Sequence, residues 1–317
     1  MTQALVTGAA GFIGSTLVDM LLSRTDWHVV GVDSLTGFYD PEVKKRNIAG
    51  LDRSRFDLLV GDLTTMDVNR VVSRADVIFH LAGQPGVRGS WGTEFSGYLD
   101  HNVLATQRLL EAAIGSRRLR AFVYSSSSSV YGEALSYPTH ETDTTSPNSP
   151  YGVTKLAAEH LCSLYATNHG VPTRSLRFFT VYGPRQRPDM AFYRFISAAF
   201  RGEAVEVYGD GHQVRDFTYV EDIVRAVMLA ADANLPGGSV INLSGGSSVS
   251  VIDVLRDLER IVSRPIQVRH LAAVPGDVKR TGGATQRARD QLDWSPQIDL
   301  FEGLTRQASW VRERFHS

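Results

Sequence analysis

Tyr151 and Lys155 in "YGVTK" stand four residues apart, which puts both on one face of a helix. A lysine ammonium beside a phenol favours the phenolate. Tyrosine then becomes a usable general base near neutral pH. Upstream, "VYSSSSSVYG" carries consecutive serines from Ser125 to Ser129 with no acid or base among them. Serine runs are usually solvated linkers. This one follows "LRAFVY", an apolar stretch that reads as a short buried strand, so a linker is a poor fit.

A second signal lies at the N-terminus. "TGAAGFIG" places Gly8, Gly11 and Gly14 between a strand and a helix, with spacing G-x-x-G-x-x-G. Gly8 allows the tight turn, Gly11 lets backbone approach a pyrophosphate, and Gly14 allows close helix–strand packing. Phe12 and Ile13 open the helix, whose N-terminal N–H groups and dipole suit phosphates. Asp33 ends the next strand, where a carboxylate accepts from a ribose 2′-OH and repels a 2′-phosphate; NAD is therefore expected over NADP. Asp62 and Leu63 in "GDL", and Leu81 and Ala82 in "HLAG", follow later strands where adenine and ribose would lie. Asp62 suits the adenine amino group, and His80 reads as a structural histidine.

These residues need a scaffold, and the apolar periodicity supplies one. Strand-length runs at 3–8, 28–33, 56–62, 76–83, 119–125 and 172–179 alternate with helical segments at about 12–24, 97–114 and 151–168. Short, doubly apolar strands between helices predict an α/β fold, a doubly wound parallel sheet of the Rossmann type. After residue 180, loops rich in Gly, Pro and Arg separate shorter elements, and a helix–strand pair at about 219–245 reads as a late return to the sheet. The expected division is a nucleotide-binding domain over 1–180 with that return. A smaller C-terminal α/β substrate lobe would use about 181–218 and 246–317.

Bulk composition narrows the function classes. The 317 residues are 43% hydrophobic and 21% charged, and 33 Lys and Arg against 34 Asp and Glu leave a net charge of −1. That removes the field a nonspecific nucleic-acid binder needs. The single cysteine, Cys162, forbids an intrachain disulfide, and the nine histidines form no HxxxH or HExxH pair, so no metal is expected. No basic leader precedes Arg24 and no run of roughly 18 apolar residues occurs, so a cytoplasmic protein without membrane spans is the expectation.

The motifs "TGAAGFIG", "SSSSSVYG", "SPYGVTK", "RFFTVYGP" and "GDGHQVRDFTYVEDI" together resemble the extended short-chain dehydrogenase/reductases, in the NAD-dependent nucleotide-sugar epimerase/dehydratase group, along essentially the whole chain. "HLAGQPGVRGSW" and "RFFTVYGPRQRPDMAF" are most similar to UDP-glucuronate 4-epimerases. By that resemblance Tyr151 is the base, Lys155 holds the tyrosine and the nicotinamide ribose, and Ser127 completes the triad. Asn102, Ser125, Tyr151, Lys155 and Phe179 join the residues above in contacting NAD. A homodimer through the 97–114 and 151–168 helices is also implied.

The serines then carry specificity. Relatives that dehydrate a sugar use Asp-Glu before "VYG", and those that decarboxylate UDP-glucuronate carry Glu immediately before it; here the two positions are Ser128 and Ser129. Hydride chemistry without elimination remains. A 4-keto uronate is a β-keto acid, and hydroxyls donating to its carboxylate would hold it out of alignment for loss of CO2. Ser127 and Ser128, with Thr180 opposite, are expected to do this; similar hexose epimerases usually have Asn where Thr180 stands. Arg88 is placed near the sugar, Arg187 and Arg215 at a diphosphate, Asp277 at the uridine ribose, and backbone near Val207 at uracil. Arg185 reads as a surface ion pair. The expected activity is C4 inversion of UDP-glucuronate. Alternatives are a neutral UDP-hexose or N-acetylhexosamine epimerase, a UDP-glucuronate decarboxylase, and a noncatalytic NAD sensor.

Overall fold

The computed structural model describes residues 1–272 and 278–315. In chain order the strands are β1 (Gln3–Thr7), β2 (His28–Asp33), β3 (Phe56–Val60), β4 (Val77–His80), β5 (Ala121–Ser127) and β6 (Thr173–Phe178). There follow β7 (Thr180–Tyr182), β8 (Val205–Tyr208), β9 (Val214–Tyr219), β10 (Ser239–Leu243), β11 (Ser248–Ser250) and β12 (Val268–Leu271). Seven of them form one sheet in the order β10-β6-β5-β4-β1-β2-β3. Every pairing within it is parallel. The late strand β10 lies in register with β6, Leu243 opposite Phe178.

Alternation along each strand explains why both faces are covered. Ala4 and Val6 point into a core with Leu17, Leu21, Val224 and Val227, while Leu5 points to the other, with Ile78, Leu109, Phe122 and Ala158. The strand order reverses between β1 and β4, so a crevice opens beyond their carboxyl ends. Gly8 and Leu81 stand at its two lips.

Local chemistry sets the helices. Ser149 caps the Pro150–His169 helix by accepting from the Gly152 N–H at 3.1 Å, Pro150 is pre-set at its first turn, and Gly170 closes it with φ 67°. The single helix expected at 97–114 is instead Phe95–Tyr98, a π-helical segment Leu99–Leu104, and Ala105–Ala113. The wider turn places Asn102 inward, where it bonds the Gln84 backbone. Apolar periodicity predicts no element between β2 and β3, yet Pro41–Ile48 is a helix because Asp40 caps Glu42 and Pro41 opens it.

In the second lobe, β11-β9-β7 form a three-stranded sheet and β8 pairs with β12. Helices Ala191–Arg201, Val251–Val262 and Leu300–Phe315 enclose a core of Tyr182, Phe192, Phe217, Leu255 and Leu304. Because β7 begins two residues after β6 ends, the chain passes from one sheet to the other beside the crevice.

Candidate active site

The glycine loop is built for close approach. Gly8 adopts φ 70° and donates to the Val32 carbonyl at 2.8 Å. A Cβ on Gly14 would lie 2.0 Å from the Gly8 carbonyl oxygen, so the helix can seat on the loop only with glycine there. The Phe12–Arg24 helix has no side-chain cap, and its first-turn N–H groups face the crevice unshielded by an acidic residue. Asp33 is 5% exposed; its carboxylate accepts from the Ala10 N–H at 3.1 Å and the Leu35 N–H at 2.8 Å, which fixes its direction.

One cavity is lined by Gly8, Gly11–Gly14, Asp33, Asp62–Leu63, Leu81–Ala82 and Asn102, and continues to Ser125, Ser127, Tyr151, Lys155, Phe179 and Arg187. The topology thus brings the loop, Asp33 and the Tyr–Lys pair to one crevice. Burial raises the Asp62 carboxyl, but the Thr64 N–H and hydroxyl, His101 and Arg108 outweigh it, and the group is held below the usual carboxylate range. Sequence reasoning missed Lys44, whose ammonium lies 3.3 Å from Asp33. It also missed Phe38, Tyr39 and Gln84 in the lining. The only signal for Lys44 was its place on a short capped helix after Asp33.

At the deep end Tyr151 and Lys155 share a helix face. Burial raises the Tyr151 phenol, while a hydrogen bond from Ser127 and the charge of Arg187 draw it down. Burial pushes the Lys155 ammonium down to about 8, opposed by Cys162 and Glu159. Tyr98 packs edge-on to Tyr151 at 6.3 Å and donates to the Pro85 and Gly86 carbonyls at 3.0 Å.

Two buried networks hold this arrangement. His80 is fully buried between Thr7 (2.7 Å to Nδ1) and Thr106 (2.9 Å to Nε2). Because Thr106 donates to the Asn102 carbonyl at 2.7 Å, it accepts from His80 Nε2–H, and Nδ1 accepts from Thr7. Burial, then Lys155, pushes His80 down to about 3, so it is neutral. The second network joins the Tyr151 helix to two strands: Arg177 forks onto Glu159 at 2.5 and 3.0 Å, and Ser126 donates to Glu159 at 2.6 Å. Arg177 also donates to Tyr131 at 2.6 Å, and Tyr131 to Asn242 at 2.7 Å.

The predicted substrate residues are less tightly gathered. Arg187 lines the cavity, clamped by Asp189 at 2.8 and 3.0 Å, and its charge reaches the Tyr151 phenol. Ser128 opens a 3-10 turn directly after Ser127, and Thr180 sits between Phe179 and Val181, which both line the cavity. Arg88 lies outside it, stacked 3.9 Å over the Tyr208 ring. Arg215 is on β9 and donates to the Val214 carbonyl at 2.9 Å. Val207 is buried in the second-lobe core opposite His270, leaving its backbone alone for recognition. Asp277 lies outside the described residues. Arg185 pairs with Asp19 at 2.7 Å and with the Ser15 carbonyl at 2.9 Å, stapling the second lobe to the first helix. Ser125 donates to the His80 carbonyl at 3.1 Å.

Among the described residues no group of three or more His, Cys, Asp or Glu is placed to hold a metal, and no helix is long and apolar enough to cross a membrane. Residues 4–244 match the model of the NAD dependent epimerase/dehydratase family. The chain is 41% identical to an uncharacterised UDP-glucose epimerase, YtcB, of Bacillus subtilis, over 98% of both chains. It is 36% identical to a UDP-glucuronate 4-epimerase of Thermodesulfobacterium geofontis, over 99% of this chain and 97% of that one. The structure of UDP-glucuronic acid 4-epimerase from Bacillus cereus, in complex with UDP-glucuronic acid and NAD, superposes with TM-score 0.95 at 41% identity, covering 99% of this chain and 100% of that one.

Proposed function

The chain belongs to the NAD-dependent epimerase/dehydratase family, and on that premise we propose that it is a UDP-sugar 4-epimerase converting UDP-glucuronate to UDP-galacturonate. The residues present fit NAD. The loop and helix are drawn tightly together where a Cβ at Gly14 would clash with Gly8, the helix N-terminus is open toward the crevice, and Asp33 is pre-aimed by two backbone donors. Gly11 to Gly14 would hold the pyrophosphate, Asp33 and Lys44 the adenosine ribose, Asp62 the adenine, and Lys155 the nicotinamide ribose. When bound, NAD supplies an acceptor and then a donor of hydride at C4 of the sugar.

Everything else falls to the protein. Tyr151 takes the C4 hydroxyl proton and later returns it, with Ser127 sharing the phenol's hydrogen bond. Lys155 holds the phenolate electrostatically. Between the two transfers the 4-keto sugar turns and presents its other face, which needs a pocket that grips the nucleotide more firmly than the pyranose. Ser127, Ser128 and Thr180 hold the C6 carboxylate so that the C5–C6 bond stays out of alignment with the ketone. Arg187, whose charge reaches Tyr151, meets the substrate's negative charge; Arg88 serves the sugar from the first lobe, and Arg215, Asp277 and the Val207 backbone serve the nucleotide from the second. The lobes are residues 1–180 with 219–245, and 181–218 with 246–317. A homodimer is supported by exposed Leu99, Leu104, Val153 and Leu164 on the two candidate interface helices, and the cytoplasm is its proposed location.

The observation that carries this reading is one cavity containing the glycine loop, Asp33 and the Ser127–Tyr151–Lys155 set, with serines where eliminating relatives hold acids. The test is NMR of UDP-glucuronate with purified protein and no added reductant. UDP-galacturonate is the expected product; a UDP-pentose with CO2 would remove the carboxylate clamp. Conversion of UDP-glucose at a higher kcat/KM than UDP-glucuronate would transfer the assignment to a hexose epimerase, the reading favoured by the Bacillus subtilis relative.

A further inference from the structure

Lys155 Nζ forms no hydrogen bond with any described residue, although the residue is 6% exposed. What it meets instead is an aromatic face: its nitrogen lies 4.6 Å from the ring centroid of Tyr124. Tyr124 is on β5, directly before the serine run, and is 1% exposed. Buried tyrosines normally pair their hydroxyl, but the Tyr124 hydroxyl has no partner among the described residues. No hydrogen bond therefore fixes this ring. Packing against His80, 5.7 Å away between ring centroids, holds it beneath the lysine.

We propose that Tyr124 is a positioning residue for Lys155, its ring face being the seat that keeps the ammonium charged and aimed at Tyr151 and the nicotinamide ribose. The proposal rests on the epimerase reading above. The surroundings of Lys155 leave few other sources of stabilisation. From β4, His80 is neutral and offers no negative charge. From the lysine's own helix come Tyr151, Cys162 and Glu159, but Cys162 is a thiol pushed far up by burial and Glu159 is forked onto Arg177 of β6. From the π-helical segment Asn102 is neutral and occupied with Gln84 and Thr154. Burial alone depresses the ammonium, so an attractive ring quadrupole in contact with it, desolvated, is worth the most where nothing else reaches.

The test grades the ring's electrostatics: Phe and its fluorinated forms keep a ring of similar size, and Leu removes it. Position 124 is replaced by Phe, by ring-fluorinated phenylalanines and by Leu, and each enzyme is loaded with NAD. The Lys155 titration is followed by NMR of 13C-labelled lysine, alongside kcat and KM against pH. Tyr124→Phe should keep the wild-type titration. Trifluorophenylalanine and Leu should move it about one pH unit toward acid, with about a fivefold loss of kcat at pH 8 and little change in KM. A fluorinated variant that titrates and turns over like Tyr124→Phe would overturn the proposal, and should Tyr124→Leu not fold, the fluorinated series decides alone. Absence of any epimerase activity in the wild type would count against the function, while the lysine titration would still judge the seat.

Discussion

Replacing Arg177 with Met should be among the most damaging single changes outside the cavity. The guanidinium and the Glu159 carboxylate have side chains only 5% and 4% exposed, and they meet in a two-point fork at 2.5 and 3.0 Å. Removing one member leaves a desolvated carboxylate whose remaining side-chain donor is Ser126. The penalty for breaking a buried pair this way is about 3–5 kcal/mol, against a total stability of roughly 5–15 kcal/mol for a folded domain. At about 2–4 °C per kcal/mol for a chain of this class, Tm should fall by about 10 °C. Thermal unfolding at fixed NAD concentration measures it, because bound cofactor would otherwise shift the midpoint by mass action. The double variant Glu159→Met/Arg177→Leu should recover at least half of the loss, since an apolar pair of similar volume leaves no orphan charge. Glu159 lies one helical turn beyond Lys155, and Arg177 and Ser126 lie on the two strands leading to Phe179 and Ser127, so kcat should drop even where the variant is folded. An Arg177→Met protein within about 1 kcal/mol of wild type, or a double variant no better than the single, would refute the reasoning.

Tyr151→Phe should lower kcat by about a hundredfold or more while NAD stays bound, since only proton transfer is removed; absorbance of the released cofactor and a turnover assay check both halves. Gly14→Ala should abolish NAD retention, because its Cβ would stand 2.0 Å from the Gly8 carbonyl. Asp33→Ser should weaken NAD binding by about 10- to 100-fold, the worth of a charged hydrogen bond, and improve NADP relative to NAD, since Lys44 then faces the 2′ position without its carboxylate; calorimetry with both cofactors reads the ratio. Burial raises the Asp216 carboxyl to about 6, against lowering hydrogen bonds from Ser244, Gly245 and Gly246. The unfolded value is about 4, so between about pH 4 and 6 the folded state holds a proton that the unfolded chain has lost. This group therefore makes stability fall as pH rises through that window, by up to about 3 kcal/mol. Unfolding curves across that range should show the component in wild type and lose it in Asp216→Ser.

Tyr151 and Lys155 were legible because helical spacing alone puts them on one face, and Gly8 and Gly14 because a turn of positive φ and a close contact demand glycine. The sheet was legible because both faces of its strands are apolar, so Leu5 and Val6 could each be assigned to a core without knowing which. Other features left no local trace. Nothing around Asn102 announces a π-helical turn, because that turn exists to satisfy the Gln84 backbone across a loop. Arg187 read as a diphosphate ligand from residue type, yet its position beside Tyr151 depends on where the second lobe folds back.

By itself the sequence determined the local pattern: the glycine loop, the Tyr–Lys pair, the run of serines, the capped helix that carries Tyr151. Each of these depends on spacing within a few turns of chain. The tertiary structure alone decided which charges and rings meet: Lys44 on Asp33, Arg177 on Glu159, Tyr124 beneath Lys155. Those encounters follow from strand order and from how the helices pack on the sheet, which bring together residues that share no local pattern, and only a folded chain chooses its neighbours.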